Sequence, residues 1–325
     1  MKSIWREIVM AVIMGMILPG IVMNWTVEEE TPPAPGDQAT EPTRAEQIRK
    51  VRLEMKLRQS DGSLQTMDMD EYLVGVVLAE MPASFEPEAK KAQAVAARTF
   101  TRKAWITGGK HRDGSVCTDS TCCQAYCPAE TYLKQGGSEE AVLLAREAVE
   151  ATSGYVLTYG GSLIEATYFS CSGGVTEDAE AVWGTDYPYL RSVDSPGEEG
   201  AAHYTDVVTF SRSQLMDKLG LTLGENPESW FGAVRYTSGG GVDTMVIGGK
   251  TFTGTQLRFL LGLRSTAFTV EPEGEGVILR TRGFGHRVGM SQYGADAMAV
   301  TGSTWQEILA HYYTGASLEL TNDHG

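Results

Sequence analysis

Apolar and charged residues alternate along the first patterned stretch of the chain. In VRLEMKLR, residues 51–58, the odd positions are apolar and the even positions are charged, which is the period of a β-strand. The turn-forming residues at 60–62 predict the end of this strand. Asp70 then precedes an apolar run that stops before Pro82, and this pattern predicts a helix over residues 71–80 with Asp70 as its cap.

The later pattern changes repeatedly between helical and strand period. An alanine-rich segment over residues 87–105 predicts a second helix that can pack closely against a neighbour. The remaining predicted elements are helices over 139–152, 255–261 and 304–313, strands over 155–159, 166–170 and 277–281, and a hairpin from Val242 that turns at Gly248-Gly249. The last helix should carry Trp305, Ile308, Leu309 and Tyr312 on one face. Because helices and strands do not alternate regularly, the expected fold class is α+β, with mixed helices and antiparallel strands.

No charged residue interrupts the segment from Ile8 to Val27, which follows Lys2 and Arg6. In a helix these residues would span about 30 Å, the thickness of a bilayer's hydrocarbon core. The basic flank before the segment and the acidic flank after it predict that residues 1–27 are a single-pass anchor in the cell membrane, with a cytoplasmic N-terminus. A cleaved signal peptide is the alternative.

The part of the chain after the predicted anchor is acidic. Residues 28–45 are acidic and Pro-rich and predict a tether, which leaves residues 46–325 as one extracytoplasmic domain. The chain has 27 basic and 42 acidic residues, a formal net charge of −15. This charge argues against a nucleic-acid partner, because neutralising phosphates requires clustered Lys and Arg. Recognition should therefore depend on shape and hydrogen bonds.

Glu80 is the first candidate for chemistry, because it ends an otherwise apolar run. Burial raises the pKa of a carboxyl, and a neutral carboxylic acid can protonate a leaving oxygen at neutral pH. Arg98 and Gln93 lie on the following alanine-rich helix and could bind a substrate or orient this carboxyl. The alternative is a structural salt bridge between Glu80 and Arg98.

Two polar, glycine-rich segments are further candidates. Residues 167–176, TYFSCSGGVT, predict a strand that ends where backbone and hydroxyl groups can approach a ligand, with a structural bulge as the alternative. Ser172 has no base beside it in the sequence, and Cys171 is expected to be an inert buried thiol. Residues 283–295, GFGHRVGMSQYGA, predict an irregular surface rich in donors and suited to carbohydrate hydroxyls, in which His286 is either structural or catalytic.

Together these segments resemble one protein family. EMP followed by AQAVAARTF, then SCSGGVTEDAEAVWGTDYPYLRSV, GFGHRVGMSQYGADAMA and ILAHYYTGASLE occur in this order. Over about residues 48–320 the chain is similar to the stage II sporulation protein D family, part of a group that includes the amidase enhancer. The resemblance implies a lytic transglycosylase that cleaves peptidoglycan strands freed of stem peptides during forespore engulfment. It also implies, as partners, a sporulation amidase or endopeptidase and a membrane-anchored scaffold protein of the engulfment complex.

The same resemblance implies roles for individual residues, with Glu80 as the catalytic acid and Arg98 in substrate handling. Hydrolysis of a glycoside uses two carboxylates, whereas a transglycosylase needs one, because the sugar's own primary hydroxyl attacks the anomeric carbon. No cofactor is required for this chemistry. The further residues expected to position the strand are Tyr168, Ser170, His286, Gln292 and Tyr293.

Four of the five cysteines lie within Cys117–Cys127. Some members of the resembled family hold zinc here with a Cys and a His five residues later, and this chain has Cys117 and Cys122 at those positions. With Cys123 and the upstream His111 also available, a structural zinc site, disulfides and free thiols all stay open. A catalytic zinc is not expected, because no tight His/Glu ligand set is present.

Two other functions compete with the transglycosylase. The first is a non-catalytic, glycan-binding activator of a cell-wall amidase; the nearly complete motif set in a short chain favours the enzyme over it. The second is a zinc-dependent wall hydrolase built on the cysteine cluster, which activity insensitive to chelators would exclude.

Overall fold

The computed structural model describes residues 53–321, and within this range helices and strands are mixed as expected for an α+β fold. The predicted anchor, residues 1–27, and the predicted tether, residues 28–45, lie outside the described residues. Across the described part of the chain, no helix is both long enough and apolar enough to cross a membrane.

The described residues contain the following elements. The helices are α1 (Met69–Glu80), α2 (Pro87–Thr107), α3 (Ala129–Lys134), α4 (Glu139–Ala151), α5 (Ala179–Trp183), α6 (Arg212–Leu219), α7 (Gly254–Leu261), α8 (Gln292–Val300) and α9 (Trp305–Tyr312). The strands are β1 (Glu54–Arg58), β2 (Leu64–Asp68), β3 (Val116–Cys117), β4 (Tyr155–Tyr159), β5 (Ser162–Leu163), β6 (Tyr168–Phe169), β7 (Thr205–Ser211), β8 (Phe231–Tyr236), β9 (Val242–Ile247), β10 (Lys250–Thr253), β11 (Phe268–Glu273), β12 (Gly276–Arg282), β13 (Met290–Ser291) and β14 (Ser317–Leu320).

Helix α2 is the centre of the first lobe, which comprises residues 53–204 and 283–321. It packs against α1, α4, α8, α9 and β4. Its alanines at positions 92, 94, 96 and 97 are fully buried, and such short side chains let neighbouring elements approach closely. The predicted alanine-rich helix is therefore confirmed, and it extends to Thr107.

The start of α1 differs from the prediction. Asp68, and not Asp70, is the N-cap, since its side chain accepts a hydrogen bond from the backbone N–H of Glu71 at 3.0 Å. Asp70 lies in the first turn and accepts hydrogen bonds from Arg98 and Ser153. Both aspartates have the side chain that suits a cap, so the local pattern could not distinguish them.

Residues 205–282 form a second lobe with its own core. Two three-stranded antiparallel sheets, of order β11-β12-β7 and β10-β9-β8, surround a cluster that includes Phe210, Trp230 and Leu257. The predicted hairpin is confirmed as β9 and β10, which turn at Gly248-Gly249 with φ of 56° and 80°. Strand β6 pairs in parallel with β13 of the first lobe, so the second lobe is inserted in the sequence between these two paired strands.

The segment 283–295, predicted to be irregular, is only partly so. Residues 283–289 contain isolated β-bridges, β13 follows, and α8 then begins at Gln292. The helix begins there because the Ser291 side chain accepts a hydrogen bond from the N–H of Gly294 and caps it. Helix α9 buries the four residues predicted for its inner face: Trp305, Ile308, Leu309 and Tyr312.

Candidate active site

A cleft of about 590 Å³ in the first lobe contains most of the predicted site residues. Its walls include the C-terminal end of α1, the segments 165–170 and 284–286, and several residues of the segment 120–124. Seven residues were predicted for catalysis or substrate binding, and five of them line the cleft: Glu80, Tyr168, Ser170, His286 and Gln292. Arg98 and Tyr293 do not.

Glu80 is the last residue of α1, and its carboxyl is held by two donors in the cleft. Oε1 accepts a hydrogen bond from the backbone N–H of Ala125 at 2.8 Å, and Oε2 accepts one from Nε2 of Gln292 at 3.3 Å. Burial raises the pKa of Glu80, while these hydrogen bonds oppose the rise because they favour the anion. Glu80 is therefore protonated over a wider pH range than an exposed glutamate and can act as a proton donor.

A set of hydrogen bonds behind the cleft fixes Tyr168. Its hydroxyl donates to Oε1 of Gln124 at 2.9 Å, and Nε2 of Gln124 donates to the hydroxyls of Tyr72 at 3.2 Å and Thr101 at 3.0 Å. Burial raises the pKa of Tyr168 well above its usual value, so the hydroxyl stays protonated. Gln124 was not predicted as a site residue, and no local pattern marks it.

A residue of helix α2 helps to orient the Gln292 side chain. Its Nε2 also lies 3.4 Å from Oε1 of Gln93, a fully buried residue of α2. The next residue, Tyr293, turns away from the cleft: its backbone N–H donates to the Ser170 carbonyl at 3.0 Å, and its ring packs edge-on against Phe85. Tyr293 thus supports the cleft wall from behind.

Arg98 lies outside the cleft and is 2% exposed. Its guanidinium donates to the carbonyls of Val149 at 3.1 Å and Thr152 at 2.6 Å, at the C-terminal end of α4. Its Nη2 also lies 3.2 Å from Oδ1 of Asp70. The predicted alternative of a Glu80–Arg98 salt bridge is wrong, because Arg98 joins α4 to the start of α1 instead.

His286 forms an aromatic part of the cleft wall. Its ring lies 5.5 Å from that of Phe169 and 5.3 Å from that of Trp183, centroid to centroid. Burial is the main cause that lowers the pKa of His286 to about 4, so the ring is neutral at neutral pH. Nδ1 accepts a hydrogen bond from the N–H of Val288 at 3.1 Å. This arrangement favours the structural role over the catalytic one.

Glu198, which was not predicted, is a buried carboxylate that joins the two glycine-rich segments. It is 1% exposed. Six donors bind its two oxygens. Oε2 accepts hydrogen bonds from the Sγ of Cys171, the N–H and Oγ of Ser172 and the N–H of Gly173. Oε1 accepts hydrogen bonds from the Oγ atoms of Ser195 and Ser291. The Ser172 hydroxyl donates to this carboxylate at 2.8 Å, and neither group lines the cleft. Burial raises the pKa of Cys171 to about 12, as expected for an inert thiol.

A buried ion pair links the cleft wall to the second lobe. Arg287 donates to Oε1 of Glu177 at 3.0 Å and to the carbonyls of Ser172 and Gly239, both at 2.7 Å. Glu177 also accepts a hydrogen bond from the N–H of Gly241 in the second lobe. Arg287 has a φ of 66°, the only positive φ of a non-glycine residue among the described residues. This strained backbone lies directly after His286 and is over-determined by these contacts.

Four side chains converge beside the cleft, with ligand atoms all within 4.8 Å of one another: His111, Cys117, Cys122 and Cys123. Sγ of Cys122 lies 3.6 Å from Nε2 of His111 and 4.0 Å from Sγ of Cys123. These distances are close to the edge of about 3.7 Å expected for tetrahedral zinc with Zn–S bonds of about 2.3 Å. All five cysteines are free thiols in the structure. The four residues fit a structural zinc site in which the protein supplies every ligand.

Comparison with known proteins gives consistent matches. The family model described as stage II sporulation protein matches residues 58–159. Stage II sporulation protein D of Bacillus subtilis (strain 168) is 41% identical over 266 residues, which are 80% of this chain and 77% of that protein. The protein of the same name from Bacillus amyloliquefaciens has the same identity and coverage. An amidase enhancer of Bacillus subtilis (strain 168) is 31% identical over 305 residues, 76% of this chain and 40% of that protein.

The family match covers α1, α2 and the convergent cysteines, and the similarity to the relatives extends over most of the chain. The resemblance inferred from the sequence motifs is thereby confirmed. The chain belongs to the stage II sporulation protein D family.

Proposed function

We propose that the protein is a lytic transglycosylase that cleaves peptidoglycan glycan strands to 1,6-anhydro products during forespore engulfment. The observation that supports this most directly is the partly buried carboxyl of Glu80, whose pKa is raised by this burial, in a cleft lined by amide, hydroxyl and aromatic groups. Carbohydrates require both donors and acceptors from a binding site, together with apolar surfaces for their ring faces. Membership of the family supports the role in sporulation.

The reaction requires one residue that first gives and then takes a proton. Protonated Glu80 donates its proton to the leaving glycosidic oxygen as the bond to the anomeric carbon breaks. The 6-hydroxyl of the same sugar then bonds to the anomeric carbon, and its proton returns to the Glu80 carboxylate. The donors Ala125 and Gln292 stabilise the anion between the two steps.

The cleft contains a second carboxyl that is less suited to proton transfer. Glu165 also lines the cleft, but its carboxylate forms an ion pair with Lys103 at 2.7 Å. A hydrolase would need an acid and a free base on opposite sides of the bond, so this pairing favours the transglycosylase. Glu165 also provides a matched control for Glu80.

The substrate would contact the cleft through the side chains that line it. Ser170, Tyr168 and Gln292 offer polar groups, and the rings of His286 and Trp183 offer apolar faces. Strands freed of stem peptides are the expected substrate, and a sporulation amidase or endopeptidase and a membrane scaffold protein are the expected partners. The localisation that belongs to this role is extracytoplasmic, with residues 1–27 as the membrane anchor and residues 28–45 as the tether.

A structural zinc ion at His111, Cys117, Cys122 and Cys123 is part of the proposal. The ion would stabilise the segment that leads directly into Gln124 and Ala125, and these two residues hydrogen-bond Tyr168 and Glu80. Catalysis itself uses only the groups of the chain and the substrate.

A non-catalytic activator of a wall amidase is the second candidate. The 31% identity to an amidase enhancer supports it, although the chain spans only 40% of that protein. In this case the cleft would bind glycan without cleaving it, and Glu80 would be a binding residue.

The test uses amidase-stripped glycan strands and three proteins: wild type, Glu80→Gln and Glu165→Gln. Products are identified by mass spectrometry. We expect anhydro-ended fragments from wild type and Glu165→Gln, and none from Glu80→Gln. Reducing-end products would contradict the transglycosylase, because water would then be the nucleophile. Strand binding without any cleavage in all three proteins would support the activator.

A further inference from the structure

The outer face of the sheet β11-β12-β7 carries side chains that the core of the second lobe does not use. Alternate residues of β12 are buried in that core, so Arg280 and Arg282 lie on the opposite face. The strand register places Arg280 between Val207 and Thr269, and it places Arg282 opposite Thr205. All five residues are exposed. The outer face therefore presents guanidinium, hydroxyl and apolar groups side by side.

A concavity of about 520 Å³ lies on this face, and we call it the sheet groove. Its lining includes the five residues of the outer face together with Asp206 and Tyr236. Tyr236, at the end of β8, is 54% exposed, and Val207 is 52% exposed. An exposed aromatic ring beside exposed aliphatic surface offers a flat apolar contact to the face of a sugar ring.

The sheet groove contains available cations, although the chain as a whole has a net charge of −15. Within residues 53–321, the Arg282 side chain forms no hydrogen bond and no ion pair. Arg280 contacts exposed Glu271 at 3.2 Å, and such exposed pairs are weak. The carboxylate in the lining, that of Asp206, lies 3.5 Å from Arg264. The guanidinium groups are therefore available to an anionic ligand rich in acceptors.

The sheet groove and the cleft share a wall. Asp206 lines the groove, and its partner Arg264 places Cζ 4.9 Å from the ring centre of Phe284, which lines the cleft. Along the chain, Gly283 alone separates Arg282 of the groove from Phe284. This joint is tightly packed, because a side chain at Gly283 would collide with neighbouring backbone atoms. The two concavities are thus neighbours with a fixed spacing, as a polymeric ligand that spans both requires.

We propose that the sheet groove is an accessory binding site for the peptidoglycan strand, which holds sugars that lie outside the cleft. Tyr236 stacks on a sugar ring, and Arg282 donates hydrogen bonds to carbonyl or carboxylate oxygens of the strand. A peptidoglycan strand suits this surface because it combines apolar ring faces with many acceptor oxygens. The proposal rests on the proposed function, which places the same strand in the cleft. The second lobe then increases the affinity for long strands, because binding at one site raises the effective concentration at the other.

The test measures dissociation constants of full-length Glu80→Gln for long amidase-stripped strands and for tetrasaccharides prepared from them. Long strands can occupy both sites at once, so the ratio of the two constants reports the contribution of the sheet groove. Tyr236→Ala and Arg282→Gln, each added to Glu80→Gln, should lower the preference for long strands by about threefold, and together by about tenfold. Tyr236→Phe should retain the preference, because the ring remains, and Arg282→Lys should retain part of it.

Phe259→Ala and Arg235→Gln are the matched controls. Phe259 is an exposed aromatic residue of the second lobe, and Arg235 is an exposed arginine paired with Asp243; neither lines the groove or the cleft. Both variants should keep the preference for long strands. An unchanged preference in the Tyr236→Ala, Arg282→Gln double variant would overturn the proposal. So would a free stem peptide that weakens strand binding by Glu80→Gln but not by the double variant, because the groove would then be a peptide site.

Cleavage assays separate the accessory site from the proposed chemistry. If wild type cleaves no strand but the preference for long strands depends on Tyr236 and Arg282, the proposed enzyme fails and the accessory site stands. If wild type yields anhydro-ended products and the double variant keeps the full preference, the accessory site fails and the enzyme stands.

Discussion

Replacing Glu198 with alanine should destabilise the first lobe, because the change leaves buried donors without an acceptor. Two of its six donors have alternatives. The Ser195 hydroxyl lies 2.6 Å from the Tyr312 hydroxyl, and the Ser291 hydroxyl lies 3.4 Å from the Ser170 carbonyl. These hydroxyls can rotate towards the other acceptors, so they contribute little to the cost.

The backbone N–H groups of Ser172 and Gly173 determine the magnitude. Each donates to Glu198 at 2.9 Å and cannot rotate towards another acceptor. A buried donor left unpaired costs roughly 1–3 kcal/mol, so two of them cost roughly 2–6 kcal/mol. We therefore expect Glu198→Ala to lower the free energy of unfolding by about 4 kcal/mol. Glu198→Gln keeps an oxygen for these groups and should cost about 1–2 kcal/mol, since the hydrogen bonds lose their charge assistance.

Urea unfolding measures both values from the midpoint and the slope of the transition. Glu199→Ala is the control, because Glu199 is the exposed neighbour and its removal should change the free energy of unfolding by less than about 0.5 kcal/mol. A loss below about 1 kcal/mol for Glu198→Ala, with an unchanged slope, would refute the reasoning, because the two N–H groups would then have found other partners.

Three further predictions concern the cleft and the cysteines. Glu80→Gln should be more stable than wild type at pH 7, because burial raises the pKa of Glu80 and its ionisation opposes folding; the advantage should disappear below the ordinary pKa of 4.5, where wild type is protonated in both folded and unfolded states. Gln292→Leu removes a donor that lowers the pKa of Glu80, so the upper pH limit of activity should move to higher pH in a pH–rate profile. Protein purified without added metal should contain about one zinc per chain by elemental analysis, Cys122→Ser should lose it, and Cys127→Ser should keep it, because the Cys127 thiol faces the Pro128 carbonyl outside the cluster.

The elements that were predicted correctly are those whose signal is local. Strand β1 follows from strict alternation, the β9–β10 hairpin from two adjacent glycines with positive φ, and the inner face of α9 from the spacing of four apolar residues. The start of α8 was missed although Ser291 is a suitable cap, because the glycines before it suggested that the irregular backbone continued. Strands β7, β8 and β11 were not predicted, because many of their residues are exposed and the alternation of apolar and polar positions is weak.

The candidate site was predictable in its motifs and not in its contacts. Glu80 forms hydrogen bonds with Ala125 and Gln292, which follow it in the sequence by 45 and 212 residues, respectively. A local sequence pattern cannot predict contacts between residues so far apart. Glu198 reads in the sequence as an ordinary loop glutamate. Arg98 shows the opposite error: an arginine on a small-residue helix has the same sequence pattern whether it binds a ligand or joins the end of a neighbouring helix.

The surroundings of Glu80 combine two opposing effects, and the proposed reaction needs both. Burial favours the neutral acid, which must give the first proton. The N–H of Ala125 and the amide of Gln292 favour the anion, which must exist long enough to take the second proton from the substrate hydroxyl. A carboxyl with burial alone would be a weak acid, and one with strong donors alone would be ionised at neutral pH and a weak base. A balanced pKa lets one residue serve in both steps, so removing Gln292 should raise the pKa of Glu80 and slow the step in which it gives the first proton, and the loss should be greatest at low pH, where Glu80 is already protonated in wild type.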